Sequence, residues 1–346
     1  MLQQSVGKQK ANKPVDVAII QLLLNDTGLS TVSSPTAGPG KNDNIVIHKG
    51  AGNSVYVPLP PLKVDGKSSP ELIRRIETYQ KAKNFKVIDG CIGEGGNDLR
   101  CLLADAGGVN GNARMAYLRL KLGVSLNFSA LKIDPFIELY QKQYTVLSAQ
   151  NKAGLRSILT TAKSDSNVSS LTELAYMLAT TKHETANTFR PIEEYGKGAG
   201  RTYGTEIKVI DPKTKKEYKN VYYGRGYVQL TWGYNYQKVD QQLGNGNYPN
   251  KNKGKASEFN TGFTISNSAD SIYLHPEHAL KESVAYTSLT WGMQNGIYTT
   301  RKIGDYITNV KTDYVNARRV INGTDRASQI ATYAENFEML LRLGCL

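Results

Sequence analysis

The chain is poor in the residues that build disulfide frameworks and metal clusters. Three cysteines (Cys91, Cys101, Cys345) and four histidines are spread over 346 residues. That is too few and too scattered for a stapled secreted scaffold or a zinc cluster, and it fits synthesis in a reducing cytoplasm. Long apolar runs are missing as well: nothing approaches the roughly 18 to 20 residues that span a bilayer, which argues against stable membrane insertion. Met1 to Lys13 is polar, and Asp16 and Gln21 interrupt the short apolar stretch behind it. No small-residue cleavage site follows, so no Sec leader is expected and release from the cytoplasm needs another route. Acidic residues are outnumbered, 30 against 43 Lys and Arg, for a formal charge of +13. Such a surface attracts polyanions of any kind, or serves solubility alone, and by itself does not make a nucleic-acid binder.

The length suits two compact units. In the first, residues 14 to 24 read as a short helix with proline at its start. From Ser30 to Pro61 the chain is rich in Gly, Pro, Ser and Asn, with brief strand-like pieces at 45–47 and 55–57, as in an elaborated loop or hairpin. A second helix starts near Pro70, with Leu72, Ile73, Ile76, Tyr79 and Gln80 at helical spacing and Arg74, Arg75 and Glu77 turned outward. The phrase Val64-Asp65-Gly66 before it returns 24 residues later as Ile88-Asp89-Gly90, again ahead of a helix over 97–103 that Asn97 is expected to cap. This spacing resembles the three-helix peptidoglycan-binding domain, on Val64-Asp65-Gly66, Ile76 to Gln80, Asp89 to Gly96 and Leu99. The pattern departs in the inserted segment before Val64 and in Glu94, where proline is usual. The resemblance implies wall binding; a helical scaffold that only docks on its neighbour is the alternative.

Residues 106–130, with Gly107-Gly108, Gly111 and a basic helix-like piece over 113–122, read as a linker. Two helical segments follow, at 135–147 and 153–163. Ser170-Leu171-Thr172-Glu173 is then a capping box, and Leu171, Leu174, Ala175 and Leu178 recur at i, i+3, i+4 and i+7. Continued at 100° per residue, this helix places Glu184 off its apolar stripe near the C-terminal end, where a carboxylate can line a cleft. The helix dipole and partial burial there both disfavour the ionised form, which suits a proton donor.

His183-Glu184 invites comparison with the HExxH zinc motif, but position 187 is Asn. His275-Pro276-Glu277-His278 has no third ligand nearby and reads as a surface or helix-start pair. No metal or cofactor is expected, and no nucleophile constellation of an amidase or peptidase stands out.

Three blocks carry a further resemblance: Ala175 to Thr185 with "HET" at its end and Phe189 to Glu194 after it; Tyr223-Gly224-Arg225-Gly226-Tyr227-Val228-Gln229-Leu230-Thr231-Trp232 with Asn235-Tyr236; and Asn316 to Gly323, "NARRVING". Together with Trp291-Gly292-Met293 and Gly296 to Thr299 they resemble, in family order, glycoside hydrolase family 19, the chitinases and phage-type endolysins. The likeness covers nearly all of 150–340.

The resemblance implies an inverting two-carboxylate mechanism. Glu184 matches the general acid. Glu194 aligns with the water-activating base, with Glu193 and Glu206 as alternatives; plant-type spacing favours Glu206, although 205–221 looks like an inserted hairpin. Gln229, Thr231, Tyr234, Asn235, Asn322 and Arg318 match substrate-binding positions, and Asn322 before Gly323 also suits a helix C-cap. The 21 tyrosines are consistent with sugar stacking, though many must be packing residues. The last helix, with Ile330, Tyr333, Ala334, Phe337, Leu340 and Leu341 on one face and Gly344 after it, closes the core.

The expected architecture is therefore mainly α: a small three-helix wall-binding domain over 1–105, a linker over 106–130, and a larger lysozyme-like family-19 domain over 131–346 with a small β-hairpin. The implied activity is cleavage of the β-1,4 bond between the MurNAc and GlcNAc sugars of peptidoglycan by a monomer, released to the wall through a holin-type lesion or a secretion machine. A chitinase and a catalytically inactive wall-binding protein are the alternatives.

Overall fold

The computed structural model describes residues 2, 4–33, 44–48, 55–106, 128–168, 170–249, 262–308 and 310–345. Among them the chain is mainly helical, with small antiparallel pairings. It divides into two compact units, 1–146 with 339–346, and 147–338.

In the first unit, α1 (Pro14–Asn25) is buried on every face from Pro14 to Leu24. This helix is packed by α2 (Pro70–Ala82), α3 (Asn97–Asp105) and α4 (Ile133–Gln143), and a helix surrounded by others has no solvent face. Burial obliges its polar residues to find partners. The Gln21 amide donates to Asp65 Oδ1 (3.0 Å) and Lys67 O (3.2 Å), while its oxygen accepts from Asp65 N (3.1 Å) and Gly66 N (3.0 Å). Gln80 on α2 repeats the device: its amide donates to Asp89 Oδ1 (3.0 Å) and Cys91 O (2.9 Å), and its oxygen accepts from Gly90 N (3.0 Å). Gly66 and Gly90 sit at φ 67° and 68°, where L side chains are strained. The duplication read from the two Asp-Gly phrases thus has a physical basis, a buried helical glutamine holding a left-handed glycine turn.

Three readings of this unit change. Asn97 is not the cap of α3 but its first residue; Gly96 is the N-cap, and Asp98 accepts from Gly93 N at 3.2 Å. The region from Ser30 to Pro61 contributes a three-stranded antiparallel sheet in which Leu29–Ser33 is the central strand between Asn44–Ile47 and Val55–Pro58. And the segment 131–146, expected in the larger domain, belongs to the first unit. Phe136, Ile137 and Tyr140 of α4 are buried, α4 packs on α1, and Lys13 Nζ donates to Gln143 O at 2.7 Å. The helix-like piece over 113–122 lies outside the described residues.

The second unit begins with α5 (Ala149–Ser164), capped by Ser148, and α6 (Leu171–Glu184), capped by Ser170, whose hydroxyl accepts from Glu173 N at 3.4 Å. The four predicted apolar positions of α6 are buried, and so are Tyr176, Met177 and Ala179. Like α1, this helix is central rather than half-exposed. It is followed by α7 (Gly233–Gln242), α8 (Glu282–Asn295), the single turn α9 (Tyr314–Ala317) and α10 (Ala327–Cys345); Tyr176 stacks on Tyr314 of α9 at 6.1 Å, and Lys182 lies over the Tyr333 ring of α10. The hairpin anticipated over 205–221 pairs Ile207–Ile210 with Glu217–Asn220. Much of the tyrosine wealth is packing: Tyr222, Tyr236, Tyr248 and Tyr273 share one core cluster, with Tyr222 stacked on Tyr273 at 5.2 Å. Asp240, buried beneath them, accepts from Tyr248 Oη, Ser271 Oγ (2.7 Å), Ile272 N (2.7 Å) and Asn245 Nδ2 (3.2 Å). Gly344 lies inside α10 rather than after it. Its carbonyl accepts from Lys132 N at 2.8 Å, and an added Cβ would come within 2.9 Å of Leu131 Cδ1, so the glycine permits a close approach. No helix among the described residues is long and apolar enough to cross a membrane.

Candidate functional site

The second unit holds a cleft of ≈ 750 Å³. Glu184 reaches it from the last position of α6, and Thr202, Tyr203, Thr205 and Ile207 line it ahead of and along the hairpin. The loop Val228 to Trp232 and the first turn of α7 supply Gln229, Thr231, Trp232, Tyr234 and Asn235; Tyr298, Ile321 and Asn322 complete the wall. Six residues proposed from sequence, Glu184, Gln229, Thr231, Tyr234, Asn235 and Asn322, therefore converge on one cavity although they span some 140 positions of chain.

Local backbone explains how. α6 ends at Glu184 because the next residues turn sharply: Ala186, Asn187 and Phe189 all have positive φ. Lys182 Nζ holds Asn187 Oδ1 at 2.7 Å, and the Thr185 hydroxyl donates to Thr181 O and accepts from Phe189 N. Burial lowers the Lys182 amine to about 8. In the Gly224–Trp232 loop, Arg225 pairs in register with Glu193 and the backbone folds back through mutual Arg225–Leu230 hydrogen bonds. Gln229 and Trp232 are held at φ 55° and 73° there, an uncommon state for residues with side chains.

Around Glu184 the decisive partner is Arg318, whose Nη1 donates to Glu184 Oε1 at 2.7 Å while Nε is tied to Asp325 O at 3.0 Å. Arg318 was read as a substrate contact; it is instead 3% exposed, is not part of the cleft lining, and anchors the carboxylate. Only Oε1 of Glu184 is engaged by Arg318, and the residue lines the cleft.

The three candidate second carboxylates have different fates. Glu194 does not line the cleft itself. Its Oε1 accepts from the Tyr203 hydroxyl (2.8 Å), a cleft residue, its Oε2 from Gly224 N (3.1 Å), and its own N–H donates to Gly224 O (2.8 Å). Glu193 is consumed by structure. The Tyr223 hydroxyl donates to it at 2.7 Å, and Lys197 and Arg225 stand 3.3 and 3.6 Å away; the Tyr223 bond, aided by the two cations, holds its carboxyl below the usual range. Glu206 is exposed, 4.0 Å from Lys219, and outside the cleft.

Several polar groups are pre-oriented. Thr231 donates to Gln229 O (2.7 Å), Asn235 to Thr231 O (3.0 Å), and Asn322 Oδ1 accepts from Gly323 N (2.9 Å). Sequence reasoning passed over Tyr203, Trp232 and Tyr298. Trp232, 38% exposed, stacks on Tyr234 at 6.0 Å and meets the edge of Tyr203 at 5.4 Å, giving the cleft an aromatic floor. An exposed aromatic closing the loop motif was the available signal. His275 and His278 stack on each other at 5.2 Å at the start of a 3-10 turn, and no group of three or more potential metal ligands exists among the described residues.

No family model, curated protein or solved structure matches this chain.

Proposed function

We propose that the chain hydrolyses the glycan strands of peptidoglycan at the β-1,4 bond between MurNAc and GlcNAc, as an inverting glycosidase with Glu184 as general acid and Glu194 as the base that activates water. The observation that carries this reading is the meeting of Glu184 with Gln229, Thr231, Tyr234, Asn235 and Asn322 in a single cleft floored by aromatic rings. A carboxylic acid, amides that donate and accept, and flat apolar faces are what an N-acetylated sugar chain requires.

In this mechanism Arg318 fixes one oxygen of Glu184 and leaves the other to protonate the glycosidic oxygen. Glu194, oriented by Tyr203 and the Gly224 amide, takes a proton from the water that attacks the opposite face of the sugar. Each of its oxygens already accepts one bond and keeps a lone pair for that water. Gln229 and Thr231 position sugar or water, and Asn322 addresses an acetamido group.

The larger unit is then a lysozyme-like domain of the family-19 kind, and the smaller one carries a wall-binding module built on α1, α2 and α3, a role supported by its paired glutamine and Asp-Gly turns. We take the protein to act as a monomer, without metal, cofactor or nucleic acid.

Mass spectrometry of purified wall digested by the protein tests the activity. New reducing ends on muramic acid are expected; ends on glucosamine, or free amino termini from cut peptides, would contradict the assignment.

A further inference from the structure

The hairpin Ile207–Ile210/Glu217–Asn220 touches the cleft through Ile207 and is docked by its inner face, where Val209 is fully buried and Ile207 and Tyr218 pack on the same cluster. Its other face is crowded with positive charge. Lys208 and Lys219 stand directly opposite each other across the strands, a like-charge pairing that costs stability. Glu217, 2.6 Å from Lys208, and Glu206, 4.0 Å from Lys219, offset it in part. The turn adds three exposed lysines, Lys213, Lys215 and Lys216. Asp211 builds that turn, accepting from Lys213 N (2.9 Å) and Thr214 Oγ1 (2.6 Å) on its carboxylate and from Lys215 N (2.9 Å) on its carbonyl. Of the three amines, that of Lys215 donates to Pro212 O at 2.9 Å and that of Lys216 lies 4.9 Å from the centre of the Tyr218 ring. Lys215 moreover occupies φ 63°, where glycine or asparagine is less strained. A backbone carbonyl and a ring face engage two of these amines without neutralising them, so the turn keeps its positive charge.

We infer that this hairpin is a cationic anchor for the carboxylates of the peptide stems on a wall glycan, so that the cleft it borders takes a carboxylate-bearing strand in preference to an uncharged polymer of N-acetylated sugars. The inference rests on the wall-hydrolase reading. The strand Ile207–Ile210 runs about 13 Å at roughly 3.3 Å per residue, so the tip lysines hold substrate beyond the bond being cut. Binding made equally in ground and transition states lowers KM and leaves kcat alone.

The test compares the full chain with K213S/K215N/K216S, which keeps Asp211 and places asparagine at the positive-φ site. Substrates are peptidoglycan stripped of teichoic acid and the same material with its carboxylates converted to amides. At low ionic strength the wild type is expected to show about tenfold higher kcat/KM on the carboxylated wall, carried by KM. The triple variant, or added salt, removes most of that difference while kcat stays. An equal loss on both substrates, or an undiminished preference in the variant, overturns the anchor. A preference that appears only on unstripped wall assigns the phosphate polymer instead and overturns the choice of carboxylate. If the wild type releases no reducing ends from either substrate, the hydrolase reading fails first. Co-sedimentation then decides the anchor separately: release of the variant from carboxylated wall at lower salt than the wild type supports it, and release at the same salt rejects it.

Discussion

Two glutamines, one in each unit, show how the same side chain serves stability or chemistry according to what surrounds it. Gln80 is buried with its amide engaged by Asp89, Gly90 and Cys91, at 2.9 to 3.0 Å. Gln229 sits at the cleft with φ 55°, its amide reaching Ile192 O and Gly226 O only at 3.3 and 3.4 Å. Its oxygen accepts no hydrogen bond from protein groups among the described residues. A buried amide whose nitrogen and oxygen are both engaged by its own chain fixes a turn. One held in a strained backbone beside a cavity keeps capacity for something that is not there yet.

The largest expected effect is at the cleft. Glu184→Gln should lower cleavage of purified wall by about 10³-fold, because the amide keeps the shape and the Arg318 bond but delivers no proton. Circular dichroism and a melting curve should show the fold retained; near-full activity would remove Glu184 from the chemistry.

The glutamine contrast comes next. Gln80→Leu leaves the Gly90 N–H and its neighbours unpaired and should cost about 3 kcal/mol in a denaturant titration, whereas Gln229→Leu should cost under about 1 kcal/mol. Activity should move the other way, with Gln229→Leu down about 100-fold and Gln80→Leu close to wild type per folded molecule. Equal stability losses for the two would erase the distinction. Gly90→Ala tests the turn itself: a left-handed alanine costs about 1–2 kcal/mol, and its Cβ would sit 2.9 Å from Ile73 Cγ2.

The smallest effect concerns Lys182. Its amine is lowered to about 8 in the folded chain, below the unfolded value of 10.5, so the unfolded chain binds more protons between those values. Stability from this group therefore rises as pH climbs through that window, and Lys182→Met should flatten the rise. Thermal midpoints measured from pH 7.5 to 10.5 would show it; an unchanged slope would mean that the amine is not held apart from water.

Local signals carried much of this structure. The helix ending at Glu184 was readable because Ser170 supplies a cap and four apolar residues recur at helical spacing, and the cleft residues because they cluster in three short motifs. Long-range choices were not readable. Nothing in the spacing of Arg318 distinguishes a guanidinium that meets substrate from one that holds Glu184 from 134 positions away. The segment 131–146 fell in the wrong unit because an amphipathic helix announces that it will be buried, not against what. Leu29–Ser33 was missed as a central strand because Leu-Ser-Thr-Val-Ser does not alternate apolar with polar, and glycine, serine and proline surround it. The burial of most of α1 and α6 was likewise hidden: periodicity shows the most apolar face, while neighbours decide whether the others see water.

Proton NMR of freshly released sugar tests the acid and base pair most directly. Attack by water from the face opposite the leaving group, with Glu184 and Glu194 in their proposed roles, predicts that the first-formed reducing end is the α-anomer, and that both Glu184→Gln and Glu194→Gln abolish its appearance. A first-formed β-anomer, or an α-anomer still released at wild-type rate by either variant, would contradict it.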